Sequence, residues 1–469
     1  MFATDDTIVA IATPPGHGGL GVVRLSGPLA ARIAGRILDN GPALAPRQAT
    51  LARVVGELAT GDARGNARQQ WSGPIDEVIA TYFPRPASYT GEDVVEISAH
   101  GSPVVLGAIV LGAVRAGARH AERGEFTLRA FLNGRIDLVQ AEAVADLIEA
   151  VTPLQARAAF DQLQGTLTTA ISDIDRGLFE LAARLEASID FPDAGYRFVD
   201  VASCAADIDE LAGRVRALLA DARRGRIIRE GRQATIVGRT NTGKSSIFNK
   251  LAGSDRAIVT ATAGTTRDLV TESVEIEGIP VDLVDTAGVR QSRDAIEREG
   301  VSRALRAAEV TDLAILVLDV SCALDEEDRR LVERTGGSAR VVVLNKTDCP
   351  AVWDERGLNL PDEETVRVSA KTGAGLPELR SAIASALTGR DATREPPVLT
   401  NVRHVGLLET AGQALERAAA AARAAGSAGS EEFVLADLQE ARAALEEVTG
   451  KRTTDDLLAA IFGRFCIGK

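Results

Sequence analysis

Over residues 1–120, apolar and polar positions alternate in short runs. TIVAIAT, GLGVVRLSG, IDEVIATYF and GEDVVEISAH carry β-branched residues near Gly and Pro turns, and each is a predicted strand. The intervening GPALAPRQATLARVVGELATGDARGNARQQWSG is rich in Gly and Ala and is expected to hold loops. From about residue 121 the apolar spacing becomes i, i+3, i+4, i+7 and glycines thin out, which predicts long amphipathic helices as far as IIREG. At residue 233 the pattern flips to QATIVGR, a strand running into a Gly-rich loop, and strands then alternate with helices to about residue 388. After the charged linker TGRDATREPPVLT, the runs HVGLLETAGQALERAAAAARAAG and FVLADLQEARAALEEVTG return to helical spacing.

A chain of 469 residues is too long for one core. The expected architecture is multidomain α/β plus all-α: an N-terminal α/β domain (1–120), a first helical part (121–230), a doubly wound P-loop domain (231–390) and a second helical part (391–469). The last ~75 residues are too few and too Ala-rich for a core of their own. The simplest partner is the helical stretch before residue 230, which makes the P-loop domain an insertion into a helical domain.

Composition excludes several classes. No apolar run reaches the ~18–20 residues of a bilayer span. The acidic start MFATDDTIVA lacks a cleavable apolar core, so a secretory signal is not expected and a cytoplasmic location is. Cys204, Cys322, Cys349 and Cys466 are scattered, which argues against a disulfide framework or a zinc site. The net charge of −13 disfavours a protein that grips nucleic acid unaided.

The chemistry lies in the inserted segment. Gly238-Arg-Thr-Asn-Thr-Gly243-Lys244-Ser245 matches GxxxxGK[ST] between a predicted strand and the predicted helix SSIFNKLAG. In that setting backbone N–H groups from Asn241 to Ser246 (Thr242, Gly243, Lys244 and Ser245 between) cradle phosphates, Lys244 reaches the β/γ oxygens and the Ser245 hydroxyl is a Mg²⁺ ligand. Asp285-Thr286-Ala287-Gly288 follows the strand VDLV, where the acid can hold Mg²⁺ through water and the Gly288 N–H can approach the γ-phosphate. Thr266, in Gly264-Thr265-Thr266-Arg267-Asp268, is the natural second hydroxyl on Mg²⁺, which makes its loop a switch. Asn345-Lys346-Thr347-Asp348 follows the strand RVVVL. The Asp348 carboxylate can accept from both N1–H and the exocyclic amine of guanine, a pair adenine does not offer. Ser369-Ala370-Lys371 follows TVRV and is expected to turn a backbone N–H to the guanine oxygen. Together these elements predict GTP as substrate.

Hydrolysis needs a group that places the attacking water. Ras-like enzymes carry a Gln after the DTAG glycine; here Val289 stands there and cannot orient water. The downstream acids Asp294, Glu297 and Glu299 are candidates, and an arginine finger from Arg267 or Arg290 is the rival. Asn241 in the P-loop can help coordinate a monovalent cation where an arginine would otherwise act.

With these motifs assembled, and with Phe465-Cys466-Ile467-Gly468-Lys469 closing the sequence, the chain resembles the TrmE/MnmE tRNA modification GTPases over essentially its whole length. DTIVAIATPPGHGGLGVVRLSG, YTGEDVVEISAHG, RGEFTLRAFLNGRIDLVQAEAVADLI and SIDFP carry the likeness outside the nucleotide motifs. The resemblance implies an N-terminal domain that binds folate and dimerises, a helical domain split in sequence, and a K⁺-stimulated GTPase whose G domains meet across a homodimer. It implies Asn241, Thr260, Thr262 and Thr265 as K⁺ ligands, with Thr260 and Thr265 also counted at the nucleotide, and Glu297 as the residue that places water. It further implies a flavin- and NADH-using partner (GidA/MnmG), joined with this chain in a heterotetramer, and tRNA as the object of the work. The joint product is an aminomethyl-type group on C5 of the wobble uridine, drawn from a 5-formyl- or 5,10-methylene-tetrahydrofolate.

The folate residues implied are Arg24, Glu96, Arg135 and Lys469. At Arg135 a close relative is expected to carry Lys, and a guanidinium forks where an ammonium is a point charge. Cys466 is a possible member of that site. A ribosome-assembly GTPase of the Era or EngA type is the alternative. Era has a KH domain and EngA tandem G domains, whereas this chain has one set of G motifs and about 230 residues before it.

Overall fold

The first two predicted strands form β1 (Ile8–Ile11) and β2 (Gly18–Ser26), paired antiparallel with Ile8 opposite Ser26. The structure is a computed structural model. It describes residues 5–39, 44–55, 58–61, 67–71, 73–190, 201–253, 270–285, 311–353, 365–389, 399–424 and 430–469. By packing it divides into Met1–Ala145 with Glu446–Lys469, and Asp146–Leu445.

In the first unit β3 (Thr50–Val54), β4 (Leu58–Gly61), β5 (Ala67–Trp71), β6 (Asp76–Phe83), β7 (Val94–Gly101) and β8 (Arg119–His120) follow in the chain. The main sheet runs β3-β6-β7-β2-β1-β8, and β4 pairs with β5 apart from it. The stretch expected to hold loops also carries three strands beyond those predicted. TLARV does alternate, and its Ala52 and Val54 are buried once β3 pairs with β6; that pairing supplies what the flanking glycines obscure. Helices Ala30–Ile37 and Pro103–Arg115 cover one face, packing Ile33, Leu106 and Ile109 on Val23, Leu25 and Ile97. Each such side chain contributes about 1.5–3 kcal/mol by leaving water.

A buried cation organises the edge of this sheet. Arg129, on helix Glu125–Leu132, is fully buried and paired with Asp6, Glu92 and Glu125, and Arg119 bonds Asp6 and Glu125. Hydrogen bonding from Arg119, with that from Arg129, holds the Asp6 carboxyl below its ordinary value against the opposing effect of burial. An arginine this deep is tolerable only with such partners. The sequence assigns 446–469 to the second helical part, but this segment packs in the first unit. Phe462 stacks near Phe131 and Phe465, and Arg123 bridges Ile467.

In the second unit the helices carry their apolar residues at heptad-like spacing. Leu167, Ile171, Ile174, Leu178, Leu181 and Leu185 are buried on Thr166–Asp190; Cys204, Ile208, Leu211 and Val215 are buried on Val201–Leu219. Val201–Leu219 lies along Val402–Arg423, whose buried stripe is His404, Leu408, Ala411, Leu415, Ala418 and Ala422. Arg442 of Ser430–Thr449 pairs with Asp175, and Arg417 with Asp437 and Glu440. Helices before and after the P-loop segment therefore share one bundle. No described helix is long and apolar enough to cross a membrane.

Between them in the chain stands a second sheet of β9 (Arg232–Val237), β10 (Val270–Ile276), β11 (Ile279–Asp285), β12 (Leu313–Asp319), β13 (Arg340–Asn345) and β14 (Thr365–Arg367), ordered β10-β11-β9-β12-β13-β14. Among its described strands only the β10–β11 pair is antiparallel. Every residue of β12 is buried, as a central parallel strand requires. The tip of the β10–β11 hairpin rests on helix Pro153–Leu163. Thr152 caps that helix and donates its hydroxyl to the Gly278 carbonyl at 2.8 Å.

Candidate nucleotide site and a second cationic cluster

In a parallel sheet of this kind the ligand crevice lies at the carboxyl ends of the strands. The Gly238–Ser245 loop leaves β9 there and enters helix Lys244–Ala252. Asn241 takes a left-handed φ of 62° and Gly243 one of 97°. Gly243 is needed for a second reason: a Cβ there would lie 2.2 Å from Asn345 Nδ2. Lys244 Nζ donates to the Arg239 carbonyl at 2.7 Å and the Thr242 hydroxyl to the same oxygen at 2.9 Å. These bonds draw the loop into a curl that leads into the helix N-terminus, where an anion is favoured. Ser245 and Ser246 are exposed on the first turn.

Asn345, at the end of β13, is buried and joins two loops. Its Nδ2 donates to the Thr242 carbonyl at 2.8 Å, and its Oδ1 accepts from Ala370 N at 3.1 Å. Asp348 Oδ1 accepts from the Ser369 hydroxyl at 2.7 Å, and Lys371 Nζ stands 3.9 Å from Asp348. The Ser369 hydrogen bond, foremost, holds the Asp348 carboxyl below its ordinary value, so it is an acceptor at neutral pH. The P-loop, the NKTD turn and the SAK turn are therefore one bonded assembly. The backbone of Asp285 pairs with Val270 and Ile236, which sets that residue at the strand end beside the P-loop strand.

Several predicted residues lie outside the described ones: Thr260, Thr262, Thr265, Thr266, Arg267, Thr286, Ala287, Gly288, Val289, Arg290, Asp294, Glu297 and Glu299, with the side chain of Asp285. Among the described residues no group of three or more His, Cys, Asp or Glu side chains is placed to hold a metal. A hydroxyl such as Ser245, working with substrate phosphates, suits Mg²⁺, which keeps few protein ligands of its own.

Three acids that brace the site lie outside the motifs. Asp319 bonds Lys346, and Asp325 and Asp328 both pair with Arg239. Asp325 caps helix Glu326–Thr335, so Arg239 ties the P-loop to that helix end. The run of acids in DVSCALDEED is the only sequence signal, and it does not say which cation is met.

In the first unit Arg24 on β2 faces Glu96 on β7 in register, and its Nε donates to Glu96 at 2.9 Å. Its Nη1 donates to the Gly468 carbonyl at 3.3 Å, and its guanidinium lies 5.4 Å from the Tyr89 ring and 5.7 Å from the Phe126 ring. Burial, then Arg24, pushes the Lys469 ammonium below its ordinary value. The structure thus gathers Arg24, Glu96 and the terminal Gly468–Lys469. Arg135 lies over Gly91, on the loop that also carries Tyr89. Cys466 is exposed, and its carbonyl accepts from Gly124 N at 3.4 Å. Cations beside aromatic rings make a setting suited to a flat, anionic ligand.

Two family models match the chain: the GTP-binding protein TrmE N-terminus over residues 7–135 and the MnmE helical domain over residues 138–466. A tRNA modification GTPase MnmE of Koribacter versatilis (strain Ellin345) is 44% identical over 469 residues, covering 99% of both chains. Proteins of the same name are 41% identical in Thiobacillus denitrificans and 43% identical in an Azoarcus species, each covering 99% of this chain and 98% of the relative.

Proposed function

This chain belongs to the MnmE family of tRNA modification GTPases, and we propose that it hydrolyses GTP to drive modification of the wobble uridine of tRNA. The observation that carries the nucleotide half is Asn345, which bonds the phosphate loop and the SAK loop at once. The tRNA half rests on likeness over the full length, which a ribosome-assembly GTPase would not share outside the G domain.

Each residue has a physical task. P-loop N–H groups from Asn241 to Ser246 hold phosphate oxygens, and Lys244 neutralises the β/γ pair. Ser245 and Thr266 would hold Mg²⁺, with Asp285 through water; Mg²⁺ supplies charge neutralisation on the phosphates when bound. Asn241, Thr260, Thr262 and Thr265 would hold K⁺, with Thr286, Ala287 and Gly288 lining the γ-phosphate side. Glu297 would orient the attacking water and take its proton while the new P–O bond forms and the β–γ bridge breaks. Asp348, Lys346, Ser369, Ala370 and Lys371 select and wall guanine.

Arg24, Glu96, Arg135 and Lys469 would bind the tetrahydrofolate one-carbon donor, whose flat ring and carboxylates suit cations beside aromatic faces, with Cys466 at its edge. The chain would act in the cytoplasm as a homodimer with a GidA/MnmG-type FAD protein. The test is nucleoside analysis of tRNA from cells lacking the protein. An unmodified C5 position at the wobble uridine is expected; unaltered tRNA would overturn the modification reading and leave the GTPase reading to be judged by GTP turnover.

A further inference from the structure

Asp319 stands outside every motif of the nucleotide site, yet among the described residues it is a closely held acid. It ends β12, lies opposite Asn345 in the β12–β13 register and is 6% exposed. Its Oδ2 meets Lys346 Nζ at 2.5 Å; its Oδ1 accepts from Ser321 N at 2.8 Å and from the Ser321 hydroxyl at 2.6 Å. Its main-chain carbonyl accepts from Trp353 Nε1 at 2.9 Å, and Val320 N donates to the Asn345 carbonyl at 3.1 Å. The carboxylate cannot swing away without breaking its bonds to Lys346 and Ser321, and the main-chain bonds to Trp353 and Asn345 fix the backbone that carries it.

Lys346 is the partner it restrains. Lys346 leaves β13 with a left-handed φ of 66°, an unfavourable conformation for a side-chain-bearing residue. Residues around it in the same turn are committed: Asn345 to the P-loop and Asp348 to Ser369. If Asn345–Asp348 is the guanine-recognition turn, the Lys346 stem, two residues before Asp348, would flank the base. A free lysine carries about 2 kcal/mol of rotamer entropy, part of which a ligand would have to remove. An ammonium already fixed at Asp319 leaves the methylene stem ordered before any ligand arrives, which is preorganisation.

We propose that Asp319 is a positioning residue for guanine-nucleotide binding, acting through Lys346 by fixing its ammonium. The proposal rests on reading Asn345–Asp348 as the guanine-recognition turn. It adds a residue outside that turn, paired with it through Lys346.

The experiment titrates fluorescent GDP into the full-length chain, its Asp319→Asn variant, Lys346→Met, and the double variant, and measures GTP turnover. Asp319→Asn keeps the acceptor for Ser321. It is expected to weaken GDP and raise KM for GTP about tenfold, with kcat within about twofold, the scale of one charge-assisted hydrogen bond. In the Lys346→Met background the same change is expected to have less than about a twofold effect. An equal loss in both backgrounds, or none in either, would overturn the proposal. A second measurement needs no variant: amine labelling of the nucleotide-free chain is expected to modify Lys346 more slowly than exposed Lys250. Equal rates would also overturn it. If the unaltered chain binds no guanine nucleotide, the reading of the site fails instead.

Discussion

Asn345 holds Thr242 across 103 residues of sequence, its side-chain amide donating to the Thr242 carbonyl at 2.8 Å inside the protein. The same side chain receives Ala370 N. Replacing Asn345 by Ala leaves a buried carbonyl and a buried N–H without these bonds, each a loss of about 1–3 kcal/mol. Asn345→Ala is expected to lower GDP affinity by at least about tenfold and to lower the unfolding midpoint. Fluorescent-nucleotide titration and thermal melting check both, and unchanged affinity would show that the two loops hold themselves.

The assignment of Glu297 and of the cation ligands predicts a split between binding and turnover. Glu297→Ala is expected to leave GTP binding within about twofold and to slow hydrolysis by a factor of about 100 or more, the scale of a lost general base. GTP turnover is expected to be faster in K⁺ than in Na⁺, and Asn241→Ala to remove that difference. Equal rates in the two salts would discard the cation mechanism.

The Thr152 hydroxyl serves two partners, accepting from Gln155 N at 3.2 Å and donating to the Gly278 carbonyl. Thr152→Val keeps the shape and removes both bonds. A lost cap plus a lost buried bond is expected to cost about 1–3 kcal/mol in urea unfolding. Gly278→Ala is expected to cost more, because Gly278 has φ of 84° and a Cβ there would lie 2.9 Å from Leu154 Cβ. Nucleotide affinity should stay within about twofold in both, since neither residue faces the P-loop. A tenfold loss would mean that the hairpin tip governs the site.

The ion pair of Asp319 has a pH signature. Burial raises its carboxyl, but Lys346 and Ser321 lower it more, to about 2 from 3.8. A carboxyl depressed in the folded state stabilises fully above its unfolded value near 4 and loses that contribution as pH falls through about 2. The difference in unfolding free energy between the unaltered chain and Asp319→Asn is therefore expected to be flat from about pH 8 to pH 5 and to shrink by about 2 kcal/mol toward pH 2. A difference that shrinks instead between pH 8 and pH 6 would assign the effect to another group.

Much of this was legible in the sequence, for reasons that residues make plain. Val9, Val23 and Ile97 announce buried strand positions by their period, and Leu167 through Leu185 announce a helix face. The G motifs are local runs whose spacing already encodes strand, turn and helix. What escaped is contact-made. β3 is an edge strand that alternation alone left indistinct among glycines. Arg239–Asp325 and Lys346–Asp319 join residues 86 and 27 positions apart, so a charge in either segment names no partner. The tail at Phe462–Lys469 falls by position in the second helical part, while its aromatic rings pack near Phe131.

Where the chain enters and leaves the nucleotide domain, its two ends nearly touch. A Cβ at Gly225 would fall 1.8 Å from the Leu399 carbonyl, and Gln162 donates to the Thr400 hydroxyl at 2.8 Å. The helices before and after the inserted segment thus meet directly at these points. In architectural terms the nucleotide domain is a cassette: its chain goes in and comes out at one place on the bundle, with the Thr152–Gly278 bond a further tie that any replacement for it would have to forgo.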